Sequence, residues 1–144
     1  MNALRAALAT LFSRPEENAA HALGRRGERL AARHLRRARY KILYRNFRAH
    51  GGGEVDLVCR DRATDELVFT EVKTRRTRDF GDPARAVNDE KQRLIARGAL
   101  AWLRLLDNPA IRFRFDIVEV VITDTETTVN VIPNAFALPG PYLY

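Results

Sequence analysis

A chain of 144 residues is the size of one ordinary domain, able to bury roughly 68–70% of its unfolded surface around a single core, and with 46% hydrophobic and 30% charged residues it has globular composition. One cysteine, Cys59, excludes a disulfide framework and a Cys-rich zinc site and fits a reducing cytoplasmic setting, while no apolar run approaches the ~18 residues of a transmembrane helix. The net charge of +7 points to an anionic partner, nucleic acid or an acidic membrane surface.

In chain order, Leu4, Ala7, Leu8 and Leu11 repeat at helical spacing within Met1–Phe12 and predict a short amphipathic helix. Arg5 interrupts what would be the core of a signal peptide. Ser13 to Asn18, with Pro15, reads as a linker. Residues 1–18 therefore stand apart from a domain of residues 19–136, and residues 137–144 form a tail.

From about Ala19 to Ala38 the pattern is helical. Leu23, Gly27, Leu30, Ala31, His34, Leu35 and Ala38 share one face, with Arg25, Arg29, Arg33 and Arg36 opposite. Glu28 falls about 80° from the centre of the apolar stripe, sheltered yet able to reach a cleft. From Arg25 to Arg48 there are ten basic residues, nine of them arginine, against the single acid Glu28. Arg45 and Arg48 belong to this run, and Lys73, Arg75, Arg76 and Arg78 form a second knot. Planar guanidiniums suit bidentate phosphate contacts, so this surface is assigned to nucleic acid.

Three strands are predicted next, at Lys41–Phe47, Glu54–Arg60 and Leu67–Thr74. Gly51-Gly52-Gly53 is a turn between the first two, since a strand rather than a helix follows it. After a loop holding Phe80, Gly81 and Pro83, a second helix runs from Asn88 to Leu106, with Asn88 as N-cap and Asp89 and Glu90 in its first turn. Leu94, Ile95, Gly98, Ala99, Trp102, Leu103 and Leu106 form its buried stripe, and Asn108-Pro109 closes it. Strands at Ile111–Ile122 and Thr127–Ile132 complete the order α-β-β-β-α-β-β, a mixed sheet with helices on its faces.

The chemistry-bearing stretch is Gly53-Glu54-Val55-Asp56-Leu57-Val58 followed by Phe69-Thr70-Glu71-Val72-Lys73. If Asp61–Glu66 closes a hairpin with Arg60 opposite Leu67, Asp56 falls opposite Glu71 and Glu54 opposite Lys73. Opposed Cβ atoms lie ~4.5–5.5 Å apart, so the two carboxylates repel unless a cation or proton intervenes. A hard divalent ion takes such oxygens together with substrate phosphate, and a nearby lysine can orient water or neutralise charge on phosphorus. The rival reading is ordinary ion pairing on a wet sheet face, Glu54 with Lys73 and Asp56 with an arginine. Val58 and Phe69 on the carboxylate face, with Val55, Leu57, Cys59, Val68 and Val72 on the other, mark both faces as covered and put the carboxylates at the mouth of a cleft.

At these residues the chain resembles the PD-(D/E)XK nuclease superfamily, which includes restriction endonucleases and Holliday-junction resolvases. More closely, it resembles the YraN family of small bacterial proteins. That likeness rests on the Gly24–Leu35 helix, Arg45-Asn46-Phe47-Arg48, the GEVDLV strand, Phe69–Arg75, Phe80-Gly81, Lys91-Gln92, Arg114-Phe115-Asp116 and Asn134-Ala135-Phe136. The resemblance implies an α/β restriction-endonuclease-like fold, a three-layer core whose mixed central sheet is flanked by helices. It implies Asp56 and Glu71 as ligands of Mg²⁺ or Mn²⁺, the Val72 backbone carbonyl as a third, and Glu28 as the helix carboxylate brought to the metal. Lys73 would position or activate water, and Lys91 and Gln92 would face the phosphate or DNA. Helicase-associated members carry Gln-x-x-x-Tyr there, whereas Ala96 follows Gln92 at that spacing.

The leading expectation is thus a cytoplasmic, metal-dependent endonuclease hydrolysing phosphodiester bonds in DNA rather than RNA, with branched or flapped structures as candidate substrates and a homodimer as candidate assembly. The alternative is a nucleic-acid-binding module, or a partner-dependent subunit, with a vestigial metal site. Four residues are set aside: His34 as a helix-core residue, Cys59 as a small buried apolar one, Asp116 as a structural hydrogen-bond acceptor and Trp102 as core.

Overall fold

The computed structural model describes residues 15–77 and 87–140. The proposed Met1–Phe12 helix, together with Arg78, Phe80, Gly81 and Pro83, lies outside the described residues. Within them the elements are α1 (Pro15–Arg37), β1 (Tyr40–Arg48), β2 (Glu54–Asp61), β3 (Glu66–Arg75), α2 (Asp89–Leu105), β4 (Phe113–Ile122) and β5 (Thr127–Phe136). This is the α-β-β-β-α-β-β order that the sequence predicts.

Two boundaries differ most. Helix α1 begins at Pro15, inside the stretch read as linker, because proline's missing N–H and fixed φ are tolerated in a first helical turn. Strand β5 runs on to Phe136, past Pro133, at the sheet edge where a missing N–H breaks no ladder. Helix α2 begins as expected: the Asn88 side chain accepts from the Lys91 N–H at 2.9 Å.

The five strands lie in the order β1-β2-β3-β4-β5. The β3–β4 pair is parallel, joined by the crossover that carries α2, and the other pairs are antiparallel. Each helix covers one face. On one side Ala31, Ala32 and Leu35 of α1 pack with Leu57, Cys59, Val68, Val118 and Val120. On the other Ile95, Ala96, Ala99 and Leu103 of α2 pack with Phe47, Val55, Val58, Phe69, Phe115 and Ile117.

The α1 stripe is rotated from the expected one. Ala32 is wholly buried, whereas His34 and Ala38 are exposed, so His34 is not a core residue. The contact is close: Gly27 lets the helix settle on β3 so tightly that a Cβ there would overlap the Thr74 side chain, and small Ala32 fits this contact where His34 would not. The tight approach of α2 has the same origin, since a Cβ on Gly98 would stand 2.9 Å from the Glu54 backbone. Cys59, Asp116 and Trp102 behave as expected. Burial pushes the Cys59 thiol up to about 12, Asp116 accepts from Arg114 and from the Asn134 N–H, and Trp102 packs on Tyr44 and Phe47.

Candidate active site

The predicted β2–β3 register holds from Asp61↔Glu66 to Leu57↔Thr70 and then stops. Asp56 and Glu71 are not a ladder pair. Asp56 instead turns its carboxylate into the seam between the strands, where Oδ2 accepts the Val72 N–H at 2.8 Å.

The cause lies in the neighbouring strand. β1 slips register between Ile42 and Tyr44, and Asn46 adopts a left-handed φ of 52°. Downstream of this irregularity Phe47 and its partner Val55 face α2, whereas Leu57 faces α1. Residues two apart in a regular strand share a face, so β2 turns over between Val55 and Leu57 and parts from β3. A strand residue's N–H and C=O point to the same edge, so the Val72 carbonyl faces the seam that holds Asp56.

Topology gathers charge at this opening. The start of β2, the end of β3 and the first turn of α2 all lie at one end of the sheet, beyond the carboxyl ends of the parallel pair. Glu71 is buried at 4% exposure, and its Oε1 lies 3.7 Å from Lys73 Nζ and 3.6 Å from Lys91 Nζ. Its Oε2 is buried with no hydrogen-bond partner. Burial first, then the Asp56 charge, push the Glu71 carboxyl up to about 8, against the opposing pull of Lys91 and Lys73.

Glu54 does not pair with Lys73. It bonds the Lys91 ammonium through Oε1 and Arg48 at 2.6 Å through Oε2. The parting of the strands leaves Glu54 facing α2 instead of β3. The Lys91 hydrogen bond, foremost, holds the Glu54 carboxyl below its usual value. Burial opposes the Lys91 charge, but the Glu54 hydrogen bond and the surrounding carboxylates outweigh it and raise the Lys91 pKa.

Glu28 stays at the half-buried edge of α1, as its place in the helix predicts, and shares a cavity wall with Asn46. Burial and then the Asp56 charge raise its carboxyl. It does not complete a cluster with the other two carboxylates: among the described residues no group of three or more His, Cys, Asp or Glu side chains is gathered closely enough to hold a metal ion. Asp56 and Glu71 alone suit a magnesium-like cation, which is often held by one or two carboxylates with substrate phosphate. The unpartnered Glu71 oxygen is the kind of donor such an ion satisfies.

Of the residues expected to meet nucleic acid, Arg25, Arg29, Arg33, Arg36 and Arg45 are exposed. Arg48 is paired with Glu54, and Arg75 is half-buried 3.8 Å from Glu119. Arg76 lines a separate cavity with Leu23, Arg26, Ile122, Thr123 and Asp124. The Gln92 amide donates to the Val87 carbonyl at 3.0 Å and so braces the entry to α2. The Glu54–Lys91 link was missed in sequence, although a crossover helix capped at Asn88 already sets Lys91 at this end of the sheet.

A family model described as "Uncharacterised protein family UPF0102" matches residues 27–120, a span that holds Glu28, Asp56, Glu71, Lys73 and Lys91. A UPF0102 protein of Geobacter sulfurreducens is 50% identical over 117 residues, covering 81% of this chain and 89% of that protein. One of Nocardia farcinica is 47% identical over 117 residues, covering 81% and 88%. Another, of Chlorobaculum tepidum, is 44% identical over 104 residues, covering 72% and 78%.

Proposed function

The chain belongs to the UPF0102, or YraN, family, and from that premise and the geometry of the seam we propose that it is a divalent-metal-dependent nuclease hydrolysing phosphodiester bonds in DNA. The observation that carries this reading is the buried Glu71 carboxylate, set beside Asp56 with one oxygen unpartnered and two ammonium groups within 3.7 Å of the other. A fully buried acid in that company is expensive to keep for structure alone.

Asp56, Glu71 and the Val72 carbonyl would hold Mg²⁺ or Mn²⁺, with Glu28 beside them. When bound, the ion supplies Lewis-acid polarisation of a phosphate oxygen. Lys73 orients the attacking water at the mouth of the seam. Lys91, tethered by Glu54, keeps its proton and offsets the negative charge that grows on the phosphoryl oxygens. The exposed arginines of α1 hold the flanking backbone. No helix among the described residues is long and apolar enough to cross a membrane; a cytoplasmic location is part of the proposal. A homodimer would place two such seams on one branched substrate.

A second reading, a nucleic-acid-binding module without turnover, draws on the same raised Glu71 carboxyl. Protonated, it shares a hydrogen bond with Asp56, and the pair stands without a cation.

The test is incubation of the purified chain with labelled single-stranded, duplex, flap and four-way-junction DNA in Mg²⁺, Mn²⁺ or EDTA, beside Asp56→Ala and Lys73→Ala. Cleavage that needs metal and disappears in both variants is expected. Cleavage undiminished in Asp56→Ala overturns the assignment, and binding without cleavage in every lane selects the second reading.

A further inference from the structure

On the opposite side of the sheet from Lys91, α1 and β1 enclose a cavity of about 170 Å³ lined by Arg25, Glu28, Arg29, Arg45, Asn46 and Leu57. Its walls are built by features already described. Arg25 and Arg29, four residues apart, stack on one face of α1. Arg45 comes from β1, paired with Leu57 immediately before the left-handed Asn46, so it stays on the α1 side while Phe47 crosses to α2. Leu57 is wholly buried and closes the floor. Asn46 and Glu28 complete the lining.

Arg25 and Arg29 of α1 and Arg45 of β1 therefore line one small space, with Glu28 as the single acid in its lining. The ion pairs of the described residues engage Arg48, Arg60, Arg75 and Arg114 and leave Arg25, Arg29 and Arg45 out. Helix spacing alone sets Arg25 beside Arg29; it does not bring Arg45 of β1 to the same cavity. A cavity lined by arginines from two elements suits an oxyanion with several acceptor oxygens.

We propose that this cavity is a phosphate subsite, taking one phosphate group of a nucleic-acid strand away from the scissile bond between Arg25, Arg29 and Arg45. It deepens the nucleic-acid reading and rests on it. Glu28 lines the cavity and feels the Asp56 charge, so a phosphate seated here lies on the α1 side of Asp56.

Counterion release separates a subsite from a general basic face. Binding of the labelled DNAs is followed by fluorescence anisotropy in EDTA, where nothing is cut, across a salt series. Each phosphate neutralised on duplex DNA contributes about 0.9 to the slope of log affinity against log salt. Three arginines sharing one phosphate lose about one unit of slope when all three become glutamine, whereas three separate contacts lose nearly three. The triple Arg25→Gln, Arg29→Gln, Arg45→Gln chain is expected to lose roughly one unit and to bind roughly tenfold more weakly at intermediate salt. The triple Arg→Lys chain keeps its charge but not the planar forks, and is expected to weaken by about fivefold with its slope retained. A slope loss near three, or a Lys chain that binds like the wild type, overturns the subsite and leaves the nucleic-acid reading standing. A wild-type chain that binds none of these DNAs removes both. Binding here with no cleavage in the Mg²⁺ or Mn²⁺ lanes of the nuclease assay removes only catalysis.

Discussion

Glutamine at position 71 isolates the most perturbed group of the seam. In the metal-free chain, burial and the Asp56 charge lift the Glu71 carboxyl from 4.5 to about 8. An acid whose folded-state pKa is raised keeps its proton in the native chain over a window in which the unfolded chain has lost it. Its favourable contribution is therefore intact below the unfolded value, declines as pH rises from 4.5 toward about 8, and levels off above. Glu71→Gln fixes the neutral form and has no such decline. Each tenfold difference in proton affinity between the folded and unfolded chains is worth about 1.4 kcal/mol, so the wild type should fall behind the variant by roughly 2 kcal/mol near pH 6 and roughly 5 kcal/mol near pH 9. For a chain of this size about 1 kcal/mol moves the melting temperature by about 2–4 °C, so the two should separate by roughly 10–20 °C at the alkaline end. Thermal melts of both proteins in EDTA, stepped from acid to alkaline pH, measure this directly. Each protein carries the same remaining titratable groups, so the difference between the curves belongs to Glu71 and what it touches. Parallel curves would refute the reasoning, because Glu71 would then ionise as readily in the folded chain as in the unfolded one.

Two further outcomes concern the frame around the seam. Arg114 bridges Asp61 at 2.9 Å, Glu66 at 3.1 Å and Asp116 at 3.0 Å, and it also bonds the Tyr40 hydroxyl. Arg114→Ala should cost about 3–5 kcal/mol by urea denaturation, since it strands a buried Asp116 and Asp61 without their cation; a loss below about 1 kcal/mol would mean that water replaces the guanidinium. Gly98→Ala sets a methyl 2.9 Å from the Glu54 backbone, so it should cost about 1–3 kcal/mol in the same assay, and an unchanged midpoint would show that α2 can lift from β2 freely.

The sheet was legible because its signals are local. The alternation of Phe113, Phe115 and Ile117 against Arg112, Arg114 and Asp116, the glycine turn, and the Asn88 cap each name an element from a few neighbouring residues. The register from Leu57↔Thr70 to Asp61↔Glu66 was legible for the same reason, since a short hairpin loop fixes it. Its failure at Asp56 was not. The reversal there is imposed by β1, where a register slip and the left-handed Asn46 act across the sheet on β2. Extrapolating the hairpin past Leu57 therefore placed Glu54 opposite Lys73, when a residue of α2 holds it. His34 failed differently: a stripe drawn on periodicity alone weighs Ala32 no more than His34, and close packing on small residues decided between them.

The reversal also explains why the carboxylates can coexist. A regular hairpin would set Asp56 and Glu71 side by side on one face, each needing its own counter-charge. With β2 turned over, Asp56 lies in the plane of the sheet, anchored by the Val72 N–H at 2.8 Å. The charges around it fall on two sides. Glu71, Lys73, Lys91 and Glu54 stand toward α2, while Glu28, Asn46 and the three arginines stand toward α1. Asp56 is the one group that acts on both, raising Glu71 on one side and Glu28 on the other. A cation seated at Asp56 would therefore relieve both acids at once. The same parting of two strands that interrupts the ladder thus sets Asp56 between a basic cavity on the α1 side and an acidic seam on the α2 side.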